Sequence, residues 1–471
     1  MTSTADEFDA IIVGAGQAGP PMASRLAAVG MSVAIVERHL IGGTCLNIGC
    51  TPTKTMIASA HAARMIARAA DFGVDLPGRA SVDLGAVQRR ARDLVEPRRR
   101  ALEDWLAGIP GCTVVRGHAR FCGPRELQVG ERRLRAQKVF LDVGGRAAVP
   151  SWSGLSEVPW LSSTDMLTLP GLPRHLAVVG GGYVGLEFAQ MYRRFGAEVT
   201  VVEMGPTLLR REDPVVSAEV KTILEAEGIA VRTQAECIHV MRRDGGVRLS
   251  IDCVEGDRLI DASHVLVAVG RRPNTDDLGL EAGGIKTDDH GYVVVDDWLR
   301  TSAAGVWALG DCNGRGAFTH TSYGDADMVA ANLLEGETRS LRDRVAAYAL
   351  YTDPPLGRAG MTETDARAGG HRVRIGERKM NRVSRAVEKS EAGHGLMRIV
   401  VDADDDRILG AAILGPGGDE AISSIVAALA CGAKAADLRR FTGIHPTVAE
   451  LLPTLANELG PALNATSPRS G

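Results

Sequence analysis

Cys45 and Cys50 are separated by four residues in the run Gly42-Gly-Thr-Cys45-Leu-Asn-Ile-Gly-Cys50-Thr-Pro-Thr-Lys54. A close thiol pair can store two electrons by cycling between dithiol and disulfide. In a regular α-helix, residues five apart hold their Cα atoms about 8–9 Å from each other. A disulfide needs less than about 7 Å. Pairing therefore requires a break in the helix between them, and Asn47 and Gly49 are the residues that permit one. Pro52 fits the first turn of a helix that continues past Lys54. Lys54 lies one turn after Cys50 on the same face, where its ammonium favours a Cys50 thiolate. Two other readings stay open: cysteines that never pair, and a metal site. No second ligand pair stands at zinc-like spacing, and a four-residue gap differs from the two-residue zinc knuckle. Cys112, Cys122, Cys237, Cys253, Cys312 and Cys431 share no such spacing and read as small buried residues.

Two glycine turns flank this pair in the chain. Gly14-Ala-Gly16-Gln-Ala-Gly19 follows the apolar run Asp9–Val13 and opens a helix, and Glu37 ends the next strand. The first glycine turns the chain, the second admits a pyrophosphate, and the third lets helix and strand pack closely. The helix N-terminus adds amide donors and a favourable dipole, and the acid at residue 37 suits an adenosine ribose. Pro20 and Pro21 are tolerable because first-turn amides have no intrahelical partners. Gly180-Gly-Gly182-Tyr183-Val-Gly185 repeats the plan, with Glu203 as its terminal acid. An acid there accepts a free 2′-hydroxyl and repels a 2′-phosphate, which favours NAD(H); Arg210 and Arg211 just beyond keep NADP(H) open. Two dinucleotide sites in one chain imply electron transfer between two nucleotides.

The elements that must position these groups follow from periodicity. Strands are expected near Phe8–Val13, Ser32–Glu37, Leu176–Val179, Glu198–Glu203 and Val306–Asp311. Helices are expected over Ser24–Gly30, Thr53–Ala70 and up to Phe195. Beyond Ser340, alternating stretches at Leu396–Val401 and Ile408–Leu414 read as antiparallel strands, followed by helices over Glu420–Cys431 and Val448–Leu459. The opening βαβ unit is thus duplicated. Boundaries fall near 150, 270 and 340, giving segments 1–150, 151–270, 271–340 and 341–471. The tail after Leu463 reads as disordered.

Composition bounds the function. A chain of 471 residues with net charge −4 gives no electrostatic case for nucleic acid or an anionic membrane. The runs Arg89-Arg90 and Arg98-Arg99-Arg100 read as a solvated helix face rather than an anion site. No apolar stretch reaches the roughly 18 residues of a membrane span, and the acidic N-terminus lacks a signal pattern, so the expected location is the cytoplasm.

With these motifs in order, the sequence resembles the pyridine nucleotide–disulfide oxidoreductases, which include dihydrolipoamide dehydrogenase, glutathione reductase and mercuric reductase. The likeness runs from about Asp9 to Leu459, and its most specific piece is GGTCLNIGCTPTK. It implies an α/β fold: two Rossmann-like domains, one for FAD and one for NAD, plus a C-terminal α+β dimerisation domain in a homodimer. By the resemblance, Gly14, Gly16, Gly19, Glu37 and Thr44 bind FAD, and Asp311 holds its ribitol. Cys50 is the flavin-proximal sulfur and Cys45 the interchange sulfur. Lys54 and Glu187 are an ion pair beside the flavin, Tyr183 covers the nicotinamide pocket, and Gly270 is a nicotinamide-site glycine. His445 and Glu450, in His445-Pro-Thr-Val-Ala-Glu450, match an acid–base dyad that reaches the partner's cysteines. Pro446 biases His445 to an extended conformation ahead of a helix beginning at the proline. The chain departs from the family at Asp142-Val-Gly144-Gly145, where Ala-Thr-Gly-Ser is usual and Gly144 would face the flavin. It also has no cysteine after Cys431, unlike typical mercuric reductases.

The expected activity is NAD(P)H-dependent reduction of a small disulfide through FAD and Cys45–Cys50, or dithiol oxidation in reverse. Reduction of Hg(II), Cu(II) or quinones is the alternative. A subunit of a 2-oxo acid dehydrogenase complex comes behind both.

Overall fold

The computed structural model describes residues 5–76, 81–252 and 256–466. The expectations for the Cys237 side chain, for Cys253 and for the last residues of the tail lie outside the described residues.

The chain opens with strand β1 (Asp6–Val13), helix α1 (Gly19–Ala28) and strand β2 (Val33–Glu37). Helices α2 (Gly43–Ile48), α3 (Cys50–Ala67) and α4 (Leu84–Ala107) follow. Next come β3 (Cys112–Arg116), β4 (Ala119–Gly123), β5 (Glu126–Val129), β6 (Arg132–Leu141) and β7 (Gly145–Ala147). The short α5 (Ser163–Met166) precedes β8 (His175–Val179), α6 (Tyr183–Phe195), β9 (Glu198–Val202), α7 (Pro214–Ala226) and β10 (Ala230–Arg232). A meander of β11 (Glu236–Arg243), β12 (Gly246–Asp252) and β13 (Leu259–Ala262) leads to β14 (His264–Val267). Then come β15 (Arg271–Pro273), β16 (Val306–Ala308) and α8 (Thr319–Leu334). The final stretch runs β17 (Ala347–Leu350), β18 (Leu356–Gly360), α9 (Glu363–Ala368), β19 (Val373–Lys379) and α10 (Ser384–Glu388). It ends with β20 (Leu396–Asp402), β21 (Ile408–Leu414), α11 (Gly418–Ala430), α12 (Ala435–Leu438) and α13 (Leu452–Asn457).

These elements form two compact units. The first comprises Met1–Met56, Gly85–Ala148 and Gly270–Asp343. Its sheet has the order β3-β2-β1-β6-β5-β4, with β16 paired to β6. Strands β3, β2, β1, β6 and β16 are parallel, while β5 and β4 turn antiparallel. Ile11, Ile12, Val33, Ile35, Val139 and Phe140 are fully buried, as parallel strands covered on both faces require. The second unit comprises Ile57–Leu84, Val149–Val269 and Arg344–Gly471. It contains the all-parallel sheet β10-β9-β8-β14, the three-stranded meander, and the five-stranded antiparallel sheet β17-β18-β21-β20-β19. The α/β class with duplicated Rossmann-like units is as the sequence implied.

The duplication extends to single hydrogen bonds. Gly14 N donates to Val36 O at 2.8 Å, and Gly180 N to Val202 O at 2.8 Å. Asp142 N donates to Val13 O at 2.8 Å, and Ala268 N to Val179 O at 2.7 Å. Asp142 and Ala268 therefore hold the same place, directly after the strand that abuts each glycine turn.

Three expectations need correction. No helix begins at Pro446: the His445–Pro446 peptide is cis, and a 3₁₀ turn at Ala449–Leu451 precedes α13. The physical reason lies at Thr447, whose Oγ1 donates to Ile444 O (2.7 Å) and accepts from Glu450 N (3.2 Å), so the helical turn is capped there. Helix α3 starts at Cys50 rather than Thr53 and ends at Ala67, with a 3₁₀ turn over Ala69–Phe72. Of the cysteines read as buried, only Cys312 is so among those described; Cys112 is half-buried, and Cys122 and Cys431 are exposed. Among the described residues, no helix is long and apolar enough to cross a membrane.

Candidate active site

In the first unit, the cysteine loop is docked onto the first glycine turn by its backbone. Gly42 N donates to Ala15 O at 2.7 Å, and Gln17 Nε2 donates to Gly42 O at 3.0 Å. A Cβ on Gly43 would lie 2.8 Å from Gly16 Cα, so only glycine allows this approach. Asn47 Nδ2 clamps the loop through Ile41 O and Gly43 O, both at 2.9 Å.

The helix break expected between the cysteines falls at Gly49, between α2 and α3. A Cβ there would stand 2.8 Å from Thr44 O and 3.2 Å from Cys45 Cα, so glycine lets the chain fold back on Cys45. Both cysteines are thiols in this structure. Thr319, at the start of α8, donates its hydroxyl to Cys45 Sγ at 3.0 Å, and its Oγ1 lies 3.4 Å from Cys50 Sγ. The Cys45 thiol is pushed well above the ordinary range by hydrogen bonding with Cys50, then by burial and by Cys50 charge; the Thr319 hydroxyl opposes this. The two sulfurs are thus one coupled titrating pair. Cys50 is exposed and Cys45 half-buried. Lys54 follows on α3, and Thr44 is exposed on α2.

Glu37 Oε2 accepts from Ala15 N at 2.8 Å and Oε1 from His39 N at 2.7 Å. Asp311 lies 3.5 Å from Arg271 Nε; burial raises its carboxyl, and the Arg271 charge pulls the other way. The loop bearing Asp311 is held by the fully buried Asp325, whose Oδ2 accepts from Gly310 N (2.7 Å) and Asn313 Nδ2 (2.9 Å). Gly144 sits at φ +62 with its carbonyl accepting from Asn274 N at 3.0 Å. Gly270 also belongs to this unit, its carbonyl accepting from Ala148 N at 3.0 Å.

In the second unit, Glu203 repeats the role of Glu37, accepting from Gly181 N (2.7 Å) and Gly205 N (2.6 Å). Gly182 has open space where its Cβ would be, while Gly180 and Gly185 abut backbone. Tyr183 opens α6, with its ring 5.3 Å from that of Tyr348 in an edge-on pair. Tyr348 OH donates to Glu212 Oε1 at 2.6 Å, and the buried Glu212 and Asp213 flank Arg358 at 3.6 and 3.3 Å. Burial pushes both phenols above their usual range. Glu187, on α6, accepts from Tyr351 N at 3.0 Å. His445 Nδ1 lies 2.9 Å from Glu450 Oε2, with the histidine side chain 73% exposed.

Thr319, Asp325 and Arg271 were not singled out in the sequence. Thr319 lies 274 residues from Cys45 with no motif around it, and Asp325 sits in a helix with no motif of its own. Arg271, next to Gly270, is an ordinary strand residue whose pairing with Asp311 needs the fold.

Residues 8–326 match the pyridine nucleotide-disulphide oxidoreductase family, and residues 346–456 match its dimerisation domain. The chain belongs to this family. It is therefore a flavin- and pyridine-nucleotide-dependent oxidoreductase. The dihydrolipoyl dehydrogenase of Thermus scotoductus is 34% identical over 96% of this chain and 97% of that protein. The mercuric reductase of Streptomyces lividans is 33% identical over 94% of each. The solved Cu(II) complex of the HOCl-induced flavoprotein disulfide reductase RclA from Escherichia coli aligns with a TM-score of 0.86 at 31% identity, covering 96% of this chain and 99% of that one.

The first unit fits FAD on its own geometry. The amides of Gly16 and Gln17 donate to no protein acceptor among the described residues, at the turn where a pyrophosphate belongs. In the second unit, the open space at Gly182 fits the second dinucleotide.

Proposed function

We propose that this oxidoreductase is an NADH-dependent reductase of small disulfides that works as a homodimer, with Cys45 and Cys50 as its redox pair. The observation that carries the reading is the cluster of both sulfurs around the Thr319 hydroxyl, on a loop docked to the flavin-unit glycine turn. When bound, FAD supplies the two-electron relay between nicotinamide and the cysteine disulfide. Gly14, Gly16, Gly19, Glu37, Thr44, Gly144 and Asp311 would hold it. Gly180, Gly182, Gly185 and Glu203 hold the nicotinamide dinucleotide. The acid at 203 favours NADH because a carboxylate there repels a 2′-phosphate.

The reduced pair does the sulfur chemistry. Cys45 thiolate attacks one sulfur of the substrate disulfide, and the other sulfur leaves as a thiol. His445 of the partner subunit gives that sulfur its proton, with Glu450 fixing the tautomer through Nδ1. Cys50 then attacks Cys45, releases the second thiol and closes the Cys45–Cys50 disulfide. Lys54, one turn along α3, favours the Cys50 thiolate.

A second reading has a metal ion such as Cu(II) or Hg(II) as acceptor. It is favoured by the soft sulfur pair and by the relatives that are a mercuric reductase and a copper complex. The test is an anaerobic screen of lipoamide, glutathione disulfide, Hg(II), Cu(II) and quinones with wild type and Cys45→Ser, using NADH and NADPH in parallel. Disulfide turnover abolished by Cys45→Ser supports the proposal; disulfide turnover that survives it refutes the cysteine relay.

A further inference from the structure

Asp142 places a carboxyl group beneath the glycine turn that receives the flavin pyrophosphate. It follows β6 directly and is 6% exposed. Its Oδ2 accepts from Gly19 N at 2.8 Å, and Ala18 N also hydrogen-bonds to it. A Cβ on Gly16 would lie 2.9 Å from the same oxygen, and one on Gly19 would lie 3.2 Å from it. The carboxyl therefore touches the second and third glycines of the motif at once.

The first turn of α1 has little else to offer an anion. Pro20 and Pro21 follow Gly19 and carry no N–H, and no side chain of the helix's own caps it. Asp142 takes the two amides that remain at the helix start. The second βαβ unit supplies an internal control. There Ala268 occupies the equivalent place, α6 starts without prolines, and the space beside Gly182 is open. One copy of the unit thus has a carboxyl where the other has a methyl group.

The groups facing Asp142 are mostly acidic. Glu37 comes from β2, Asp311 and Cys312 from the turn after β16, and Asp325 from α8 stands behind that turn. Arg271 of β15 lies 3.5 Å from Asp311. A flavin pyrophosphate adds further negative charge at the same turn. A pyrophosphate on the Gly16 and Gln17 amides would sit close to a carboxyl on the Gly19 amide, and like charges that near each other disfavour ionisation of Asp142.

We propose that Asp142 is a neutral carboxylic acid in the flavin-loaded protein and that its ionisation weakens FAD binding. This rests on the flavin site of the first unit. Burial, followed by the charges of Asp311 and Glu37, raises its carboxyl against the pull of the two amides, which agrees with the geometry. The bound flavin raises it further. Affinity is then flat below the pKa of the free protein, falls up to about tenfold per pH unit until the pKa of the complex, and levels off beyond it.

The experiment is the dissociation constant of FAD from the holoenzyme, read by recovery of flavin fluorescence on serial dilution between about pH 5 and pH 9. Wild type is expected to lose affinity as pH rises, with proton release on flavin dissociation through that window. Asp142→Asn, permanently neutral, is expected to show a flat profile; Asp142→Ala, the residue of the second unit, serves equally if the amide variant does not fold. A protonated-carboxyl infrared band in the wild-type holoenzyme, absent from the variants, supports the same conclusion. A pH-independent wild-type profile overturns the inference alone, as does a slope unchanged in both variants. A protein that retains no flavin even at the acid end overturns the flavin reading with it.

Discussion

Replacing Thr319 by valine removes one hydroxyl from the sulfur pair while preserving side-chain shape. In the structure that hydroxyl donates to Cys45 Sγ at 3.0 Å and lies 3.4 Å from Cys50 Sγ. A hydrogen bond to a charged group contributes about 1.5–3 kcal/mol, and one pKa unit corresponds to about 1.4 kcal/mol. The hydroxyl stabilises thiolate, so its loss raises the pair's first macroscopic pKa by about 1–2 units. At any pH below that pKa, the thiolate fraction falls about 10- to 100-fold. The assay is the pH dependence of iodoacetamide alkylation of the NADH-reduced enzyme, with the flavin spectrum as a check on folding. Disulfide turnover is expected to drop in parallel at neutral pH and to recover on the alkaline side. An alkylation profile that superimposes on wild type would refute the assignment of Thr319 to the pair.

Other consequences follow from single contacts. Gly43→Ala sets a Cβ 2.8 Å from Gly16 Cα, and relieving it costs about 1–3 kcal/mol. The purified variant is expected to hold less flavin per protein by visible absorbance. Arg358→Leu leaves the buried Glu212 without its cation and Asp213 with only Arg398, 3.8 Å away; the expected loss is about 3–5 kcal/mol in urea unfolding, partly restored by adding Glu212→Gln. His61 is raised by its hydrogen bond to Asp353, despite burial. Its contribution is complete below the unfolded value of about 6.5 and is lost as pH rises through the folded value. His61→Gln is expected to flatten the decline of melting temperature on that alkaline side, by no more than about 1 kcal/mol because the ring is 48% exposed.

The parts of the site that could be read in the sequence are those built from neighbours in the chain. Gly14, Gly16 and Gly19 announce a turn because strand, helix and terminal acid all lie within one βαβ unit. The bend at Gly49 follows from helix geometry alone. Thr319 was invisible for the opposite reason: it is 269 residues from Cys50 in the chain and has no motif around it. Asp142 was noticed only as a departure from a family pattern, and its contact with Gly19, 123 residues away, needed coordinates. The misplaced helix at Pro446 shows a local rule losing to a local competitor, because Thr447 caps the turn and delays it. Burial of the isolated cysteines failed because it depends on which strand or loop covers them. Cys312 lies under the flavin-unit sheet, whereas Cys122 and Cys431 face outward.

The central claim is that the Cys50 sulfur exchanges electrons with the flavin. Anaerobic titration of the purified yellow protein with NADH, followed by absorbance, tests it most directly. One equivalent of NADH is expected to produce a long-wavelength thiolate-to-flavin band, and Cys45→Ser is expected to show that band before any reductant is added. Full bleaching of the flavin with no such band, in either protein, would contradict the account.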